Sequence, residues 1–304
     1  MKVKGDIRIA LHVMTAKGLA VLQAFEGSAL RTYLSYVVVA RDPNTLNDYF
    51  DEIVSLAGSM GLAIYERSQS LPQITHVIAV SWRWLIAPEP GQTIIVFHDS
   101  LLPRYRGFAP LVSALINGDR QIGVTALLAS EEYDRGSILA QEAVDIDYPI
   151  RISSAIEKLM PVYASLAVKV AAQMVAGEEV GVTQDERCAT YSLWRDEYDY
   201  FIDWSWDASR IERFVHALGF PYQGAATVLD GEVYRISDCV ALPDLSIENR
   251  TCGKVIFVQN GVPTIVCGKG LIKVLAMSTD NTGRSALPLR RFRSRFTQPP
   301  SRMM

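Results

Sequence analysis

Residues 96–141 read VFHDSLLPRYRGFAPLVSALINGDRQIGVTALLASEEYDRGSILAQ, and the class of the fold turns on them. The apolar run that starts at Thr93 ends on His98 and Asp99; a turn-rich stretch holding Pro103 and Gly107 follows; APLVSALING has helical spacing, and GVTALLA is a second apolar β run. A buried strand, a helix and another buried strand in succession predict part of an α/β sheet. Such sheets gather ligands at the C-terminal ends of their strands, which singles out His98. Asp134, in a loop after the next strand, is placed to reach that imidazole; a carboxylate beside a histidine fixes its tautomer and favours its charged form. Pattern alone leaves open that the two are unrelated residues.

The same alternation extends towards the N-terminus. DIRIALHVM, LSYVVVA and THVIAVSW read as strands, with helix-like TAKGLAVLQAF and LNDYFDEIVSLAGSM between them. This predicts a mostly parallel sheet, its strands apolar enough to be buried on both sides, with helices on both faces. Downstream, residues 153–177 predict a long core helix that Pro161 bends or begins. A polar, aromatic connection then leads to an amphipathic helix capped near Asp207. From 221 onward short β runs (AATVL, EVYRI, KVIFVQ, PTIVC, LIKVLAM) are joined by Asp230-Gly231 and Asn260-Gly261, two hairpin signals that predict a small antiparallel barrel or sandwich. The expected division is a core over 1–186, a linker and helix over 187–220, and a β domain with a basic tail over 221–304.

With 304 residues, 49% hydrophobic and 21% charged, the chain has apolar surface for two cores, which excludes a disordered or fibrous protein. No stretch approaches the roughly 20 apolar residues of a membrane span. The opening MKVKGDIRIALHVM suits a first strand better than a signal peptide. Four cysteines show neither CxxC pairing nor metal-ligand spacing, so they read as reduced thiols, with no metal. A cytoplasmic chain without a membrane partner is expected. Net charge is −3, but six arginines and no acid follow Asp280, which leaves about −9 on the rest. That tail reads either as a solvated terminus or as a contact for a polyanion.

The string His98-Asp99-Ser100-Leu101-Leu102-Pro103-Arg104-Tyr105-Arg106-Gly107, followed by Asn117-Gly118, Gly123-Val124-Thr125 and Asp134-Arg135-Gly136-Ser137-Ile138, resembles the signature of the formyl-tetrahydrofolate-dependent formyltransferases. That family includes methionyl-tRNA, glycinamide ribonucleotide and sugar N-formyltransferases, and the resemblance is nearest to the last. It implies a Rossmann-like formyltransferase core, a smaller OB-like C-terminal β domain, formyl-tetrahydrofolate as donor, and catalytic roles for His98 and Asp134. Val96 stands where the family has an asparagine that donates to the developing oxyanion. Loss of one such donor typically costs on the order of 10²–10³ in rate. The resemblance therefore implies one of three things: a compensated N-formyltransferase, a different transferred group, or a homologue that only binds.

By the same resemblance, folate is handled by the region of Val80, Ser81, Trp82, Arg83, Trp84 and Leu85 and by Ser130 and Tyr133. The two tryptophans read either as a wall for a flat pterin or as core packing. The acceptor would be met by Ser100, Arg104, Tyr105 and Arg106, and by Trp194, Arg195, Asp196 and Tyr200 in the connection. There, aromatics suit a nucleobase and arginines a diphosphate. A transfer-RNA acceptor calls for a basic grip, yet ARDPNTLNDYFDEIVSL, where tRNA-formylating members carry a basic loop, has one arginine against four acids. The expected acceptor is a nucleotide-linked amino deoxy sugar, dTDP-linked and of the kind used in lipopolysaccharide O-antigen synthesis. Methionyl-tRNA is the alternative; nucleic acid is otherwise not an expected partner, and a homodimer stays open.

Overall fold

The computed structural model describes residues 7–43 and 45–299, so the opening lysines, Asn44 and Arg302 of the tail lie outside it. The chain divides into two compact units, one of residues 1–111, 121–145 and 155–193, the other of 112–120, 146–154 and 194–304. In this division two short internal segments group with the C-terminal part.

In the first unit β1 (Ile9–Val13), β2 (Leu34–Val39), β3 (Ala63–Glu66), β4 (His76–Val80) and β5 (Thr93–His98) are parallel, in the order β3-β2-β1-β4-β5. Helices α1 (Thr15–Glu26) and α2 (Phe50–Ser59) carry the chain from β1 to β2 and from β2 to β3. A short strand β6 (Arg106–Gly107) and helix α3 (Pro110–Asn117) precede β7 (Gln121–Leu128) and β8 (Ile138–Asp145). β7 pairs antiparallel with β5, and β8 pairs antiparallel with β7 across a short loop that suits a hairpin. The sheet is therefore five parallel strands with an antiparallel edge. β3 and β8 carry no sequence signal: AIYE is four partly exposed residues, and ILAQEAVD has polar residues at its centre and buries little, as an edge strand facing water can.

Helix α4 (Ile152–Ala176) runs unbroken through Pro161. Ala155, Leu159, Val162, Leu166 and Val170 are 0–4% exposed and form one stripe at three- and four-residue spacing. Contrary to the sequence reading, this helix is long and apolar enough to cross a membrane by composition, with mean hydropathy 1.5 over its best window; 44% of that window is buried inside the fold. Strand β9 (Tyr191–Ser192) lies parallel to β6.

In the second unit α5 (Ala208–Ala217) buries Ile211, Phe214 and Val215. Asp207 occupies its N-cap position with extended backbone, but its side chain makes no capping bond, so the expected cap is one of position only. Strands β10 (Ala225–Leu229), β11 (Glu232–Leu242), β12 (Val255–Gln259), β13 (Val262–Val266), β14 (Leu271–Thr279) and β15 (Phe296–Thr297) form an antiparallel sheet in the order β12-β13-β14-β11-β10-β15. Both hairpin dipeptides are left-handed at both residues, with φ 50° and 84° at Asp230-Gly231 and 51° and 77° at Asn260-Gly261, as type I′ turns require. β15 pairs with β10 at one edge, and the Val255 and Phe296 N–H groups donate to Ser294 O and Gly253 O at the other. The sheet thereby curls until its edges meet. The arginine-rich tail is not a frayed terminus through this stretch: Phe296 is buried and Arg295 bridges Lys254.

Candidate active site

His98 closes β5 and is 7% exposed. Its Nε2 lies 2.8 Å from Tyr105 O. A carbonyl only accepts, so this nitrogen carries the proton and the ring orientation is set. Nδ1 then faces Asp134 Oδ1 at 3.5 Å. The other carboxylate oxygen of Asp134 accepts from the Gly107 N–H at 2.7 Å. The roles differ from the simplest sequence picture: a backbone carbonyl orients the imidazole, and a backbone amide orients the carboxylate that faces it.

Both supports come from strained backbone. Tyr105 (φ 59°) and Asp134 (φ 56°) sit in the left-handed region, which non-glycine residues occupy at a cost. What holds them there is a segment that sequence reasoning passed over. Thr190 Oγ1 accepts from the Tyr105 N–H at 2.9 Å, and Thr190 O accepts from the Arg106 N–H at 2.9 Å. Gln184, 6% exposed, donates through Nε2 to Asp134 O at 2.7 Å and to Gly136 O at 2.8 Å. Its Oε1 accepts from Arg106 Nε and Nη2 at 3.1 and 2.8 Å. A lone glutamine in a polar connection has neither period nor spacing to mark it. On the other side of the turn, Thr125 Oγ1 donates to Ser100 O at 2.6 Å and accepts from the Leu102 N–H at 3.2 Å, while Gln141 Nε2 donates to Leu102 O at 3.0 Å.

Asp99 is held in an ion pair with Lys17 and by the Tyr163 hydroxyl. Burial would raise its pKa, but the charge and hydrogen bond of Lys17 and the bond from Tyr163 outweigh this and hold it below the usual carboxylate range. Burial, then the neighbouring Asp99, pushes the Tyr163 phenol up.

The expected acceptor residues divide. Arg106 is 1% exposed, and its guanidinium engages Gln184 and the Glu186 carboxylate, so it builds the site rather than meeting a phosphate. Hydrogen bonds from Arg106 and Arg135 hold the Glu186 carboxyl down at about 2. Ser100 is buried and donates to Arg104 O. Arg104 is exposed and lies over the Tyr105 ring, 5.0 Å from its centroid. Trp194, Arg195, Asp196 and Tyr200 belong to the second unit. There Asp196 caps its own turn by accepting from the Tyr198 and Asp199 N–H groups, and the half-buried Arg195 leaves Nε without a partner.

The expected folate residues divide too. Val80 is fully buried and in register with Phe97, which places its side chain on the face opposite His98, and its carbonyl accepts from the Met14 N–H. Its part is packing. Arg83 pairs with Asp42 at 2.6 Å, and Ser81 Oγ accepts from Thr15 Oγ1 at 3.2 Å. Trp82 and Trp84 meet edge to face at 5.2 Å, while Leu85 is 77% exposed. Ser130 Oγ donates to Glu132 O, and the exposed Tyr133 lies 6.4 Å from the Phe108 ring. Val96 packs beside Trp82 and Ile86 against a cluster that includes Ala10, Val38 and Val77. Among the described residues no group of three or more His, Cys, Asp and Glu could hold a metal ion.

Two family profiles match: formyl transferase over residues 74–162, and the formyl transferase C-terminal domain over 196–292. Methionyl-tRNA formyltransferase of Clostridium novyi (strain NT) is 33% identical over 206 residues, an alignment covering 66% of this chain and 66% of the relative. Among solved structures, the N-formyltransferase from Helicobacter canadensis in complex with folinic acid and dTDP-3-aminofucose superposes with TM-score 0.61 at 14% identity, covering 88% of this chain and 99% of that one. HypX from Aquifex aeolicus in complex with tetrahydrofolic acid gives 0.61 at 19% identity, over 91% of this chain and 45% of that one. At these identities the structures speak for the fold. The two profile matches, in order along the chain, and relatives of 31–33% identity make this chain a member of the formyltransferase family.

Proposed function

We propose that the protein transfers the formyl group of formyl-tetrahydrofolate to the amine of a nucleotide-linked amino deoxy sugar. The observation that carries formyl transfer is the His98–Asp134 arrangement, with each group oriented by a backbone partner and one imidazole nitrogen left towards the carboxylate. An amine that attacks a formyl carbon loses a proton while negative charge develops on the formyl oxygen; as that charge collapses, the bond from the formyl carbon to the folate nitrogen breaks and the nitrogen takes up a proton. Nε2 is committed to Tyr105 O, so Nδ1 is the nitrogen that exchanges the proton. Its 3.5 Å distance to Asp134 exceeds a hydrogen bond and leaves the pair to tighten on a bound acceptor. Protonated on both nitrogens, His98 is a cation held in place for the developing oxyanion. The aromatic loop of Trp82 and Trp84 suits the flat heterocycle of the donor.

The loop after β2 supports a small acceptor over a nucleic acid. Arg41 pairs with Asp48 and Asp51, and Arg83 with Asp42, so the loop's acids already engage the cations beside it. Methionyl-tRNA is the second reading, favoured by the names of the curated relatives, which align over about two thirds of their own length. Mass spectrometry of dTDP-, UDP- and GDP-linked amino sugars and of aminoacylated initiator tRNA, each incubated with protein and formyl-tetrahydrofolate, tests both. A one-formyl gain on a sugar nucleotide supports the proposal, a gain on tRNA alone replaces it with the second reading, and no gain on any acceptor overturns formyl transfer to these classes.

A further inference from the structure

His12 is a buried group that the chemistry above does not use. It is 4% exposed, and neither ring nitrogen has a hydrogen-bond partner. An imidazole sealed in this way costs stability, and folded cores seldom keep one without a reason. Its place supplies the reason. His12 is near the C-terminal end of β1, and β1 and β4 are the neighbours at which the strand order reverses; open α/β sheets bind ligands at that crevice. In the register it lies opposite Ala79, which lies opposite Val96, so His12 shares a sheet face with Val96 and with His98 two residues beyond. The residue between them, Ala79, carries only a methyl group.

What covers the imidazole is Trp82, edge-on at 4.9 Å, from an irregular loop that begins at Ser81 with φ 54°. Resting on the reading of formyl-tetrahydrofolate as donor, we propose that His12 is a recognition residue for it: the imidazole offers one N–H and one lone pair to the hydrogen-bonding edge of the pterin, once the ring system of the donor takes the place of Trp82 over it. Burial holds His12 at about 4, so near neutral pH it is uncharged and has one donor and one acceptor, the complement of an amide-like ring edge.

The test titrates 5-formyl-tetrahydrofolate calorimetrically into the wild-type protein, His12→Leu and His12→Gln, with melting temperatures measured alongside. The expected result is that His12→Leu binds about tenfold or more weakly while melting no lower than wild type, because it removes unpaired polar atoms. His12→Gln, which keeps a donor and an acceptor, should come back to within about threefold of wild type. Equal binding by wild type and His12→Leu overturns the role of His12 alone. Parallel loss of affinity and melting temperature in both variants assigns the ring to packing and overturns it as well. A wild-type protein that binds no folate overturns the donor reading and this proposal together.

Discussion

At Val96 one side chain decides how the chemistry is shared out. It sits in a row with Ala79 and Leu127 and packs beside Trp82, so an asparagine there gains a hydrogen-bond donor at the expense of apolar contacts. Val96→Asn is expected to raise turnover at saturating folate by about tenfold or more and to lower the melting temperature; an unchanged rate, starting high, means that another donor already serves. Asp134→Asn keeps an oxygen for the Gly107 N–H but loses the charge facing His98, and should reduce kcat by about 10²–10⁴ with folate affinity unaltered, measured under single-turnover conditions. His98 could be singled out in the sequence because an apolar run that ends in a histidine marks a strand end, whereas Asp134 was tied to it only through the family resemblance. Tyr105 O and the Gly107 N–H were not, since backbone groups have no letter of their own. His12 was hidden for a different reason: inside an apolar strand it looks like any buried residue, and only its missing partners set it apart.

Among the elements, the segment of Gln184 and Thr190 acts as a brace for two loops in left-handed conformation. Gln184→Leu leaves Arg106 Nε and the Asp134 carbonyl without their partner, so kcat should fall by at least about tenfold, with a loss of about 1–3 kcal/mol on denaturant unfolding. Gly107→Ala should be worse on both counts. Its φ is 102°, and an added Cβ would lie 2.4 Å from Ser192 O, so the β6–β9 pairing and the amide offered to Asp134 would shift together. The strands β1, β2, β4, β5 and β7, the long helix and both hairpins followed from periodicity and turn dipeptides. β6, β9 and β15 escaped notice because two-residue strands are specified by what they pair with.

Across the whole molecule, acid stability tests the buried groups together. The value of His12 falls from 6.5 to about 4 on burial, so between those limits the unfolded chain binds the proton and the folded one does not. Stability is fully present above pH 6.5 and declines as the pH drops to about 4, by roughly 3 kcal/mol in all. Asp99, held below the ordinary carboxylate value by Lys17, extends the decline further into acid. Denaturant midpoints measured from pH 7 to 4 should show the slope, and His12→Leu should flatten it. Sequence texture changes once along the chain, whereas the second unit is assembled from three separate pieces. Arg213 Nε on Ile116 O and Arg151 on Asp238 tie those pieces to each other. That division bears on how the polypeptide emerges from a ribosome. Residues 112–120 and 146–154 are translated before anything beyond 194, so during synthesis they wait for their partners, and the second unit condenses late around segments made early.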